Sequence, residues 1–312
     1  MTRRFNYRFL IKWIIVVPIF IFLGNIVWEN WNQVKEASFT FRFFPLVLST
    51  LIFAFSYFIQ IWAWYLITFN LKIAIPFHET LASWFYSQLG KYLPGKVWIL
   101  LSRFYFYESK GKSRTAIMIA FYFETITMVM AAGLIFLVSL LFSSDIHSFY
   151  LGKSHPWLPF LIILPLLFLH PKVLQRAINR ALTYLNREPI SISMSYADVL
   201  WILAVCLLCW VMGGVGFYLF IDSVFIVSGK HILFLTGALA ISSILGLVAV
   251  FAPSGLGVRE GFLVYLLSSI MPSSVAVILS VLTRLWVTFI EIGLVTVVYL
   301  AGKLKRKRRE YV

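Results

Sequence analysis

Six apolar runs dominate the chain, at residues 13–28, 45–69, 116–142, 157–170, 199–221 and 275–301. A helix needs about 20 such residues to cross the hydrocarbon core of a bilayer. The fourth run is short and carries Pro159 and Pro165, which a membrane helix absorbs as a tilt or kink. The runs are unbroken rather than alternating every second residue, so they predict helices and not an outer-membrane barrel. Charged residues make up 12% of the chain, against about 25% in a soluble domain, which excludes a water-soluble enzyme. Thirty Phe, 15 Tyr and 11 Trp exclude a disordered chain. Two Cys provide no disulfide framework.

Basic residues orient the runs. Arg3, Arg4, Arg8 and Lys12 precede the first, which lacks a small-residue cleavage site and reads as a retained signal anchor. The C-terminus ends KLKRKRREYV. Both ends are expected in the cytoplasm, which requires an even number of crossings. The tail 303–312 reads as an electrostatic anchor to anionic lipid, not as a nucleic-acid site.

Two further apolar stretches, 80–101 and 233–271, are interrupted by GKYLPGKVW and APSGLGVREG. Lys72 flanks the first on one side, and Arg103, Lys110, Lys112 and Arg114 flank it on the other, so it should enter and leave from the cytoplasm. Parity then makes the second enter and leave from outside. The expected fold is an all-α polytopic membrane protein forming one transmembrane domain over 1–312. It has about six transmembrane helices and two oppositely oriented re-entrant hairpins. Crossings one, two, hairpin and three recur upside down as four, five, hairpin and six, giving an inverted repeat of 9–143 and 157–302. Broken helices at matching places in inverted halves are the architecture of secondary transporters, with the site between the repeats.

Charge at bilayer depth is costly and normally faces a partner or a wet cavity. Pro94-Gly95 breaks the first hairpin between Lys91 and Lys96, with Arg103 expected near the cytoplasmic mouth. Pro253, Gly255 and Gly257 break the second just before Arg259 and Glu260. Helix starts expose backbone N–H groups that suit an anion, so two opposed, cation-flanked breaks can hold one anionic group. The competing reading is that these cations pair with Glu124, Glu260 and Glu291 and lock the fold. Glu124 or Glu291 would carry a proton in a coupled transporter; otherwise each stays paired to Arg284 or Arg259. Gly213, Gly214 and Gly216 suggest close helix packing. No catalytic triad, phosphate loop, metal set or cofactor motif is legible.

The strings QLGKYLPGKVWILLSR (88–103) and APSGLGVREGFLVYLL (252–267) resemble the lysylphosphatidylglycerol synthase transmembrane family. This is the membrane half of the multiple peptide resistance factor, and it also occurs as stand-alone YbhN-like proteins. Gly90, Lys91, Pro94, Gly95 and Lys96 match the first motif; Pro253, Gly255, Gly257, Arg259 and Glu260 match the second. Ser254 stands where the second motif usually has Gly, and Thr125 follows Glu124 where the family often has Arg. The resemblance implies a flippase or transporter of phospholipid or polyprenyl-phosphate-linked headgroups. Aminoacyl transfer belongs to a separate soluble domain, which a chain with eleven residues after Ala301 is expected to lack.

The expected function is therefore translocation of an anionic lipid across the cell membrane, without enzymatic activity. The expected partners are that lipid and either a second copy of the chain or a lipid-modifying enzyme. An accessory subunit or transferase of a cell-envelope pathway is the alternative, and a scaffold recruiting partners through the basic tail is a third reading.

Overall fold

A computed structural model describes residues 39–92, 97–143, 167–184, 194–249 and 255–310, with Asn25 and Trp28. The first expected crossing, most of the fourth, and Pro94, Gly95, Lys96, Pro253 and Ser254 lie outside the described residues. Those residues form nine α-helices and no strand: α1 Phe43–Asn70, α2 Phe77–Gln88, α3 Trp98–Glu108, α4 Arg114–Phe142, α5 Pro171–Tyr184, α6 Tyr196–Val224, α7 Ile232–Val248, α8 Val258–Leu267 and α9 Ser273–Glu310.

Helices α1, α4, α6 and α9 coincide with the expected crossings and are long and apolar enough to span a bilayer. Local chemistry sets their ends. Lys72 takes a left-handed φ of 59° after α1, its N–H donating to Phe69 O while the Ile73 N–H donates to Thr68 O. That pair of bonds satisfies carbonyls that would otherwise be orphaned at the helix end. A capping box between Ser195 and Asp198 opens α6. At the other end of α6, the N–H groups of Thr40 and Arg42 donate to Val224 O and Ser223 O (both 2.9 Å). The Arg42 guanidinium adds bonds to the Asp222 carbonyl and carboxylate.

The long α1 and α6 pack together along the bundle. Gly213 and Gly216 face Phe53 of α1, and a Cβ at Gly214 would come 2.5 Å from Thr236 Cβ of α7. Gly214→Val should therefore push α6 from α7 and lower stability by about 1–3 kcal/mol, measurable as a lower thermal midpoint in detergent. Helices α2 and α3 pack on each other, as do α7 and α8. The α2–α3 pair shares a core with Ile59–Ile67 of α1 and Val199–Cys209 of α6. The α7–α8 pair shares one with Phe53 and with Phe217–Ile221. The two pairs thus occupy opposite ends of the bundle.

The pairs differ in length. Helices α2 and α3 have 12 and 11 residues, too few to cross alone. The segment Gly229–Val248 is long and apolar enough to do so, whereas the sequence suggested one arm of a re-entrant hairpin. Its apolar run continues to Val248, while the first stretch is interrupted by Gln88, Gly90 and Lys91.

Candidate functional site

Both helix breaks are closed by glycine. A Cβ on Gly90 would stand 2.7 Å from backbone atoms of Trp98 and Ile99, so the two arms touch through main chain. In the second break Gly255, at φ 69°, lies against Gly246, whose backbone an added Cβ would meet at 2.5–2.7 Å. Gly255→Ala adds left-handed strain to a backbone clash. It should cost a few kcal/mol, read as lost thermal stability, whereas Gly261→Ala, with open space around it, should not.

The start of α8 differs from expectation. Gly257 (φ 85°) caps it, and its N–H donates 2.7 Å to the Glu260 carboxylate. Glu260 is buried and also accepts from Arg284 Nη1 at 3.3 Å. The anion at this helix start is therefore the protein's own carboxylate. The spacing Gly257-x-x-Glu260 carries that signal, because a Glu at the third helical position reaches back to the cap.

The other carboxylates also have partners. Glu291, on α9, accepts from Lys91 Nζ and from the Tyr57 hydroxyl of α1. Glu124 accepts two bonds from Arg103, one at 3.3 Å, and a third from Trp84 Nε1 at 3.1 Å. Arg103 was expected near a cytoplasmic mouth, but it is 1% exposed, with its guanidinium 3.9 Å from the centroid of Trp64. Glu124 and Glu291 each pair with a cation of the first break, as the competing reading had it, and among the described residues neither forms an ion pair with Arg284 or Arg259. Trp64, Trp84 and Tyr57 carry no sequence signal that marks them among the chain's many aromatics.

Between the breaks lies a cavity of about 320 Å³, lined by Gln88, Lys91, Ile99, Phe121, Thr125, Ser243, Gly246, Leu247, Arg259, Arg284, Val287 and Thr288. A second space of about 180 Å³ adjoins it, sharing Gln88, Lys91, Ser243, Arg259 and Val287 and adding Tyr57, Gln60, Trp210 and Glu291. These residues fall near the midpoints of α1, α4, α6 and α9, so the cavities sit at mid-depth of the bundle. The hydroxyls of Thr125, Ser243 and Thr288 donate to carbonyls of their own helices. That leaves the Gln88 amide and the cations as the strong donors at the cavity wall. Among the described residues Lys91 pairs with Glu291 and Arg284 with Glu260, and Arg259 adds a third cation to the cavity wall. Arg259 makes no hydrogen bond or ion pair with any described residue, and its Cβ is held where Gly246 has no side chain.

Of the expected site residues, the structure thus brings together Lys91, Arg259, Glu260, Arg284 and Glu291, with Gly255 and Gly257 shaping the second break. Arg103 and Glu124 form a separate buried pair. Gln88 is an addition to the set; it opens the first motif, where nothing in its spacing marks a role.

No curated protein matches the chain significantly. A family model described as the lysylphosphatidylglycerol synthase TM region matches residues 13–294. The chain belongs to this family, and with five helices among the described residues long and apolar enough to span a bilayer it is a multi-pass membrane protein of lipid modification or transport.

Proposed function

We propose that the protein carries an anionic lipid between the leaflets of the cell membrane, with both termini in the cytoplasm. The observation that carries this reading is Arg259, a cation at the wall of a mid-depth cavity that makes no hydrogen bond or ion pair with any described residue. A charge placed there is expensive unless something anionic visits it. A cavity of about 320 Å³ is at the small end for ligand sites. It suits a phosphate-bearing headgroup and leaves the acyl chains in lipid.

The packing supports an inverted repeat. Helix α4 packs on α7, and α9 on α2, so each half's long helix braces the other half's broken pair. Arg103 on α3 pairs with Glu124 on α4, while Glu260 on α8 pairs with Arg284 on α9: corresponding helices with the charges exchanged. Rocking of one half against the other would open the cavity to each leaflet in turn. Transport suits the site better than group transfer, since Glu124, Glu260 and Glu291 are all held by cations.

Proteoliposomes with fluorescent phosphatidylglycerol, or with a fluorescent polyprenyl phosphate, test the proposal. Leaflet exchange faster than in protein-free vesicles is expected for at least one of them. Folded protein that exchanges neither would overturn it. Deleting 303–312 should leave exchange within about twofold, because an electrostatic anchor acts on the surface and not at the cavity; abolished exchange would favour a recruiting scaffold instead.

A further inference from the structure

Helix α5, Pro171–Tyr184, has no part in the cavity, yet it has three distinct faces. Leu174 and Ile178 are buried in the bundle. Each lies two residues after a cation, about 200° round the helix, so Lys172, Arg176 and Arg180 point directly away from the packed face and are exposed. Among the described residues no carboxylate forms an ion pair with any of the three. One shoulder between these faces is apolar and exposed, with Val173 at 39% and Tyr184 at 88%. The other shoulder carries Gln175 and Asn179.

The position of α5 is equally specific. Leu174 and Ile178 join the cluster containing Ile67 near the end of α1, Tyr107 near the end of α3, Ile117 near the start of α4 and Val199 near the start of α6. The same end of the bundle bears Lys72, Lys110, Lys112 and Arg114. A helix with one face docked, one face cationic and an apolar shoulder between them fits the headgroup boundary of a bilayer. A water-facing acidic protein would match the cations but would leave the apolar shoulder uncovered.

We propose that α5 is an interfacial ledge on which Lys172, Arg176 and Arg180 gather the phosphates of anionic lipids, while Val173, Ala177 and Tyr184 rest against their upper acyl chains. The ledge concentrates anionic lipid beside the bundle and is separate from the cavity, so it stands whether or not the protein moves lipid.

The test uses the full chain in nanodiscs of phosphatidylcholine containing a minor fraction of chain-brominated lipid. Ala177→Cys is labelled with bimane; Cys206 and Cys209 are buried, and unsubstituted protein gives the labelling background. Brominated phosphatidylglycerol should quench the label more strongly than brominated phosphatidylcholine, with a local preference of about fivefold per cation engaged. The preference should collapse at 1 M salt, where the Debye length is only ~3 Å, a measurement that needs no charge variant. It should also fall in the Lys172→Gln/Arg176→Gln/Arg180→Gln protein, whose exposed substitutions leave the thermal midpoint unchanged. Equal quenching by both lipids would overturn the proposal. So would a label that neither lipid quenches but aqueous iodide does, which would place this face in water and favour an acidic protein partner.

Discussion

Arg259→Ala is expected to cut lipid exchange in proteoliposomes by about ten- to a hundredfold while leaving the protein folded. A hydrogen bond to a charged group contributes roughly 1.5–3 kcal/mol, and Arg259 is the cavity cation with no ion pair among the described residues. Removing it strands no carboxylate: Glu260 keeps its bonds to Gly257 and Arg284, and Glu291 keeps Lys91 and Tyr57. The thermal midpoint should therefore move little, and Arg259→Lys should recover part of the rate. Native exchange by a folded Arg259→Ala protein would remove this residue from the site.

Arg103→Ala should have the opposite signature, a loss of stability of about 3–5 kcal/mol, because it leaves the buried Glu124 carboxylate facing only Trp84. The guanidinium also lies over Trp64, whose Nε1 donates 2.8 Å to the Tyr107 hydroxyl, so a cavity opens as well. Replacing both partners, as Arg103→Leu/Glu124→Leu, should cost less than the single change, since no charge is then buried alone. Denaturation in detergent micelles measures all three proteins. An Arg103→Ala protein as stable as wild type would show that water reaches Glu124. The exposed Arg114–Glu108 pair makes a control: Arg114→Ala should leave the denaturation midpoint nearly unchanged, because water screens the pair.

The long helices were legible because their apolar runs exceed what a soluble core requires. The breaks were legible because Gly and Pro interrupt otherwise continuous hydrophobicity, and Gly90 and Gly255 indeed sit where two backbones touch. Which acid meets which cation was not. Glu124 meets Arg103 across 21 positions and Glu291 meets Lys91 across 200, separations that only the packed bundle determines. The helix-start reading of the second break missed Glu260 as a cap, although its spacing from Gly257 was visible. Helix α5 was not legible because an amphipathic helix of 14 residues contains no long apolar run.

The distance in sequence between Lys91 and Glu291 has a consequence for synthesis. At about 5–20 residues per second, a chain growing from its N-terminus places roughly 10–40 s between the appearance of that lysine and of its counter-ion. Throughout that interval the Lys91 ammonium lacks Glu291, and α2 lacks the brace that α9 will provide. Because Arg284, Val287, Thr288 and Glu291 of the last helix line the cavities, these are complete only when that helix is made. A chain stopped before residue 291 would present an unfinished, charged pair of helices to the quality-control machinery of its membrane.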